Sequence, residues 1–190
     1  MKEYPIIGVG GTNASGKDNL GIMLQERYGY LFVSNSDILR EEAKKRGLST
    51  DRENLRNISA EWRREHGMGV MVDKAVEVYE KVKEQYNGLA TASYRHPAEA
   101  DRTHELGGKV VWTDSDPKVR YDRLHARGRA DDGRTFEQFL ADEAAEMKIS
   151  GDAATLQMAD VKPRADYVIM NNGNDIEAFK DEAAKILGLL

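Results

Sequence analysis

No cysteine occurs among the 190 residues, which excludes disulfides and thiolate metal sites and suits a reducing compartment. Apolar runs approaching the roughly 18 residues of a membrane span are absent, and residues 1–10 lack the apolar core of a signal peptide. The expectation is a cytoplasmic protein with no membrane partner. There is no excess of basic residues either. The formal net charge is −5, which argues against nucleic acid as the main partner, although local arginine clusters are present. Internal repeats and low-complexity linkers are missing, and His66, His96, His104 and His125 show no metal-ligand spacing. What remains is a composition of 32% charged and 40% hydrophobic residues, expected to form one domain with a real core.

Against these absences stands one dense stretch. A short apolar run, Ile6-Ile7-Gly8-Val9, leads into Gly11-x-x-x-x-Gly16-Lys17, and a helical pattern follows. Glycines allow a backbone to wrap an anion with its N–H groups, the start of a helix adds its positive dipole end, and the lysine adds a mobile charge for outer phosphates. The residue after the lysine is Asp18, where this pattern usually has Ser or Thr. A dinucleotide fold competes for the same stretch, since Gly8-x-Gly10 follows the strand and Asp37 lies a suitable distance downstream. The place of its third glycine belongs to Asn13, however.

Strand-like and helical patterns then alternate, which predicts an α/β fold with a parallel sheet and helices on both faces. Strands are expected near Ile6–Val9, Leu31–Val33, Leu89–Ser93, Lys109–Thr113 and Tyr167–Met170. Asp37 is placed to cap a helix running toward Gly47, Thr50-Asp51-Arg52-Glu53 reads as a capping box, and Val70–Glu84 as one helix. Asn174 with Glu177 is expected to cap the terminal helix. In such a sheet the carboxyl ends of the strands face one crevice. Basic residues follow three of them: Arg40 after the second strand, Arg95 after the third, and Arg120, Arg123, Arg127 and Arg129 after the fourth. Arg63 and Arg64 lie in the helical insertion and face different ways, so at most one is expected to point inward. Positive groups of this kind hold an acceptor's phosphate in line and offset charge on a transferred phosphoryl group.

Gly11–Asp18, Ser36-Asp37-Ile38-Leu39-Arg40, Arg95-His96-Pro97-x-Glu99, Arg120-x-x-Arg123-x-x-x-Arg127-x-Arg129 and Ala165–Gly173 together resemble the small-molecule kinase branch of the P-loop fold. That branch holds the nucleoside monophosphate kinases and dephospho-coenzyme A kinases. The resemblance implies a three-layer α/β/α sandwich with a five-stranded parallel sheet in the order 2-3-1-4-5. It also implies an acceptor region at about residues 37–84 and a lid at about 120–134. By the same resemblance ATP and Mg²⁺ are used. The phosphates rest on Gly11, Thr12, Asn13, Ala14, Ser15, Gly16, Lys17, Asp18 and Asn19, and the catalytic residues are Lys17, Arg123 and Arg127. Asn171, Gly173 and Arg129 lie at the adenine, and Asp37, Arg40, Arg63 and Arg95 at the acceptor. Asp18 and Asp37 are the implied metal-side acids. The third strand lacks the acid usual at its end, which leaves Asp37, Glu99 or Asp114 to help through water. The expected acceptor is a small molecule, a (deoxy)nucleoside monophosphate or else dephospho-coenzyme A, in a monomer or homodimer. A nucleotide-binding ATPase or regulatory protein with no small acceptor is the reading of another class.

Overall fold

Five strands run parallel in a computed structural model that describes residues 4–128, 133–147 and 152–189. They are β1 (Ile6–Gly11), β2 (Tyr30–Ser34), β3 (Gly88–Tyr94), β4 (Lys109–Asp114) and β5 (Tyr167–Met170), in the sheet order β2-β3-β1-β4-β5. Parallel neighbours need crossovers, and helices supply them: α1 (Lys17–Tyr28), α2 (Asn35–Lys45), α3 (Arg52–His66), α4 (Val70–Glu80), α5 (Pro97–Glu105), α6 (Pro117–Arg127), α7 (Phe136–Met147) and α8 (Ile176–Leu187). This is the expected α/β arrangement, with β1 central and buried along its whole length.

Alternation along β1 assigns its two faces. Ile7 and Val9 pack with Leu20, Met23 and Leu24 of α1 and with Phe179, Ala183 and Leu187 of α8. On the opposite face the side chains come from β3 and β4. A Cβ on Gly8 would run into the ring of Tyr94, and one on Gly10 would lie 3.0 Å from Trp112. Gly8-x-Gly10 is therefore a packing feature: it makes room for two large aromatic rings across the sheet, over Val72 and Ala100. The helical insertion has a small core of its own, made by Ala43, Ile58, Trp62, Val70 and Met71 with Ile38, Leu39 and Leu55. It stands over the carboxyl ends of β2 and β3 and makes one wall of the crevice described below.

Several boundaries differ from the sequence reading. Asp37 does not cap α2. The helix starts at Asn35, directly after extended Ser34, because the Asn35 side chain is held against β3 by the Thr91 hydroxyl at 3.1 Å. Asp37 then falls in the first turn, paired with Arg40 at 2.5 Å. The cap of α3 is Asp51, not Thr50, and its carboxylate accepts from Asn54 N at 2.9 Å. The last helix is capped by Asp175, not Asn174: the shorter reach of that carboxylate to the N–H groups of Glu177 and Ala178, both at 3.0 Å, fixes the start. Helix α4 ends at Glu80, short of Glu84, and a 3₁₀ turn covers Lys83–Gln85.

Candidate active site

The loop between β1 and α1 is held from below and behind by side chains that leave its outer surface clear. Ser15 Oγ donates to the Thr12 carbonyl at 2.8 Å and lies 2.8 Å from the Thr113 hydroxyl. Asn171 Nδ2 donates to the Ser15 carbonyl at 3.0 Å, and Thr12 Oγ1 donates to Asp114 at 3.0 Å. Gly16 is the N-cap of α1 with φ 101° and makes no side-chain cap bond. A Cβ there would be strained and would meet Asn171 Nδ2 at 2.5 Å. The start of α1 thus presents backbone N–H groups uncovered by a cap, which is the arrangement that takes an anion. Lys17 Nζ bends back to the Thr12 carbonyl at 2.7 Å, across the mouth of the loop. Asp18 follows it, exposed in the first turn.

From the loop a cleft of about 660 Å³ extends under the helical insertion. Its lining carries seven cations, Lys17, Arg40, Arg52, Arg56, Arg63, Arg95 and Arg127, against three acids, Asp18, Asp37 and Glu99. Of the residues singled out in the sequence, Lys17, Asp18, Asp37, Arg40, Arg63, Arg95 and Arg127 line this one cleft. Of the Arg63 and Arg64 pair, Arg63 points inward and is 2% exposed, while Arg64 faces solvent with Asp152. Arg52 and Arg56 escaped the sequence reading. They share one face of α3 with Ser59 and Arg63, at spacings of four, three and four, and that periodicity was the available signal.

Other expected residues lie elsewhere. Arg120 is buried and ties α6 to α7. It donates to the Ser115 carbonyl at 2.8 Å and to Glu143 at 2.9 Å, beside the Phe139 ring. Arg123 reaches behind the loop, donating to Ser115 Oγ at 3.0 Å, the Ala14 carbonyl at 3.4 Å, Asn171 Oδ1 at 3.3 Å and the Gly173 carbonyl. Burial holds its guanidinium below the ordinary value. Asn171 is buried beneath the loop, between Ser15 and Arg123, and Gly173 is exposed. Arg129 lies outside the described residues, as does part of the expected lid.

The acids are mostly committed. Glu99 is 1% exposed. One of its oxygens takes Arg63 at 2.9 Å, and the other accepts the N–H groups of Arg95 at 2.6 Å and His96 at 3.1 Å. Asp114 accepts from Lys162 at 2.9 Å as well as from Thr12. Burial works to raise its pKa, but hydrogen bonds from Lys162, Trp112 and Thr12 outweigh that and leave it below the usual carboxylate range. Among the described residues no three acids or histidines gather as a metal cluster. Of the two implied metal-side acids, Asp37 is engaged by Arg40 and Asp18 lies open at the loop.

Two buried donors are left over. Asn35 Nδ2 and Arg63 Nε have no hydrogen-bond partner among the described residues, and both side chains line the cleft. An unmade buried hydrogen bond costs roughly 1–3 kcal/mol. The backbone at the end of β3, which also lines the cleft, is unusual. Ser93 has φ 76° and sits at a register break, where Val9 pairs with Ala92 but Gly10 pairs with Tyr94. This bulge turns the end of β3 toward the cleft.

The AAA domain family matches residues 10–139. A UPF0200 protein of Pyrobaculum aerophilum is 34% identical over 186 residues, covering 96% of each chain. A UPF0200 protein of Thermococcus kodakarensis is 31% identical over 189 residues, again covering 96% of each. Among solved structures, shikimate kinase from Bacteroides thetaiotaomicron aligns with a TM-score of 0.60 at 15% identity, over 96% of this chain and 98% of that one. At such identity the likeness is one of fold, and the fold is that of the P-loop kinases.

Proposed function

Because the chain belongs to the AAA domain family and to the UPF0200 proteins, and folds as P-loop kinases do, we propose that it transfers the γ-phosphoryl group of ATP to a small anionic acceptor. The observation that carries this reading is the continuity of two features. The phosphate loop opens into a cleft whose far walls bring arginines from α2, α3, the β3–α5 turn and α6. Cations beyond the phosphate loop are what an anionic acceptor needs to be held in line with the nucleotide. A (deoxy)nucleoside monophosphate is the acceptor we favour, and dephospho-coenzyme A is the alternative.

In this reading Lys17 exchanges the Thr12 carbonyl for phosphate oxygens, and the N–H groups at Gly16 and the start of α1 hold the same group. Arg40 gives up an exposed pair with Asp37, an interaction of the kind worth no more than about 1 kcal/mol, to hold the acceptor's own phosphate. Arg95, whose backbone N–H is fixed by Glu99, turns its guanidinium from Met158 Sδ to the acceptor. Arg127 neutralises charge on the phosphoryl group in transit, and closure of the cleft excludes water, so that the acceptor oxygen forms the new P–O bond as the bond to ADP breaks. Asp18, open at the loop, would be the protein carboxylate that helps hold Mg²⁺, since Mg²⁺ commonly uses one or two carboxylates plus phosphates. When bound, it supplies charge neutralisation on the phosphates.

The test is ADP release with ATP and Mg²⁺ over a panel of nucleoside monophosphates and dephospho-coenzyme A. One panel member should raise the rate strongly over its absence. Release at the same rate with and without every acceptor would favour an ATPase and defeat the kinase reading.

A further inference from the structure

The two orphaned donors belong to residues that line the same cleft. Asn35 is 2% exposed, and its carbonyl is already used by the Thr91 hydroxyl at 3.1 Å, which leaves the amide Nδ2 pointing to nothing. Arg63 is equally buried, and its terminal nitrogens are used by Glu99 at 2.9 Å, the Ala154 carbonyl at 3.1 Å and Ser59 at 3.3 Å, which leaves Nε. Buried polar groups in folded proteins are almost always satisfied, so each exception calls for an explanation. Here there are two, of the same kind, on two different helices lining one cleft. Both are N–H donors, and neither is a spare acceptor.

These two residues also differ in charge from the rest of the lining. The carboxylate of Glu99 cancels the guanidinium of Arg63, and Asn35 is neutral. The lining as a whole, seven cations to three acids, attracts a formal anion, whereas these two residues add directional N–H groups with little net charge. Such donors select for the position of an oxygen more than for charge.

We propose that Asn35 Nδ2 and Arg63 Nε form an acceptor-recognition subsite that takes carbonyl or hydroxyl oxygens of the acceptor, apart from its phosphate. Neither atom is exposed in the ligand-free protein, so the two bonds require the side chains of Asn35 and Arg63 to shift toward the cleft as the acceptor binds. The proposal rests on reading the cleft as an acceptor site, and it adds that the acceptor is chosen there by its uncharged oxygens. Ligands that present only a phosphate meet the arginines and leave the subsite unmade.

The side-chain N–H resonances of Asn35 and Arg63 report this directly in ¹H–¹⁵N spectra of the wild-type chain. Titrants are AMP, CMP, GMP, UMP and dephospho-coenzyme A, with orthophosphate as the charge-only control. At least one organic titrant should move both resonances saturably, and orthophosphate should move neither. Asn35→Leu, which removes the amide at similar volume, should weaken that titrant at least tenfold while ATP affinity stays within twofold. The subsite is overturned if no titrant moves either resonance, if orthophosphate moves both equally, or if Asn35→Leu binds the titrant as wild type does. A titrant that moves both resonances without stimulating ADP release keeps the subsite and defeats the kinase reading, so the two failures are separable.

Discussion

Lys17 donates to the Thr12 carbonyl at 2.7 Å and is half-buried. That contact is a modest part of the fold, worth about 1 kcal/mol. Lys17→Ala should therefore lower the melting temperature of the ligand-free protein by no more than about 4 °C, while acceptor-dependent turnover falls at least about a hundredfold. A large loss of apo stability by calorimetry would mean the lysine is structural. Asp18 gives a second expectation. Its carboxylate sits in the first turn of a helix without a side-chain cap, where it favours the helix dipole but opposes an incoming phosphate unless a cation stands between them. Titration calorimetry of ATP with and without Mg²⁺ should show wild-type affinity falling about tenfold or more on chelation, and Asp18→Asn losing much of that dependence. Equal metal dependence in the two proteins would mean that Asp18 stands clear of the phosphates.

At the scale of elements, the turn from β3 into α5 carries a pH dependence. His96 caps α5: its Nδ1 accepts from Ala98 N at 3.2 Å, and Nε2 lies 2.8 Å from the Ala153 carbonyl. Nε2 therefore carries the proton of a neutral ring. Burial, first, and then Arg63 and Arg164 lower its pKa below the ordinary 6.5, against Glu99 and the Ala153 bond, which raise it. The folded state thus binds fewer protons than the unfolded one, so His96's contribution is complete above about pH 6.5 and is lost as pH falls through the lowered folded value. Denaturant unfolding between about pH 7 and 5 should show stability falling with pH, and His96→Asn, which keeps a capping oxygen without titrating there, should flatten that slope. An unchanged slope would exclude His96 as its source.

The same elements show what the sequence made legible. Strand positions and the phosphate loop were readable because each rests on local rules: apolar runs bounded by turns, and glycines at a fixed spacing before a lysine. Capping was less readable. Ser34, Asn35, Ser36 and Asp37 are all competent near a helix start, and the Asn35–Thr91 bond across 56 residues decided among them. Gly8 and Gly10 resembled a nucleotide fingerprint, while the rings that need their space, Tyr94 and Trp112, lie about 90 and 100 residues away. Arg120 and Arg123 sit with Arg127 on one helical face, yet the first bonds Glu143 and the second supports the loop from behind, because a face of α6 is wide enough to meet several partners. Which arginine enters a cleft is a matter of tertiary packing, and charge pattern does not encode it.

For the whole molecule, a chain of net charge −5 lines one crevice with seven cations against three acids, a local excess of the kind that attracts anions. In a kinase, two anions meet in that crevice and exchange a phosphoryl group. Following the terminal phosphate of γ-³²P-labelled ATP, with the acceptor panel present and the products separated, tests this most directly. Label should appear in one phosphorylated organic product, with little in orthophosphate. Label found only in orthophosphate, at a rate no acceptor changes, would contradict the kinase reading.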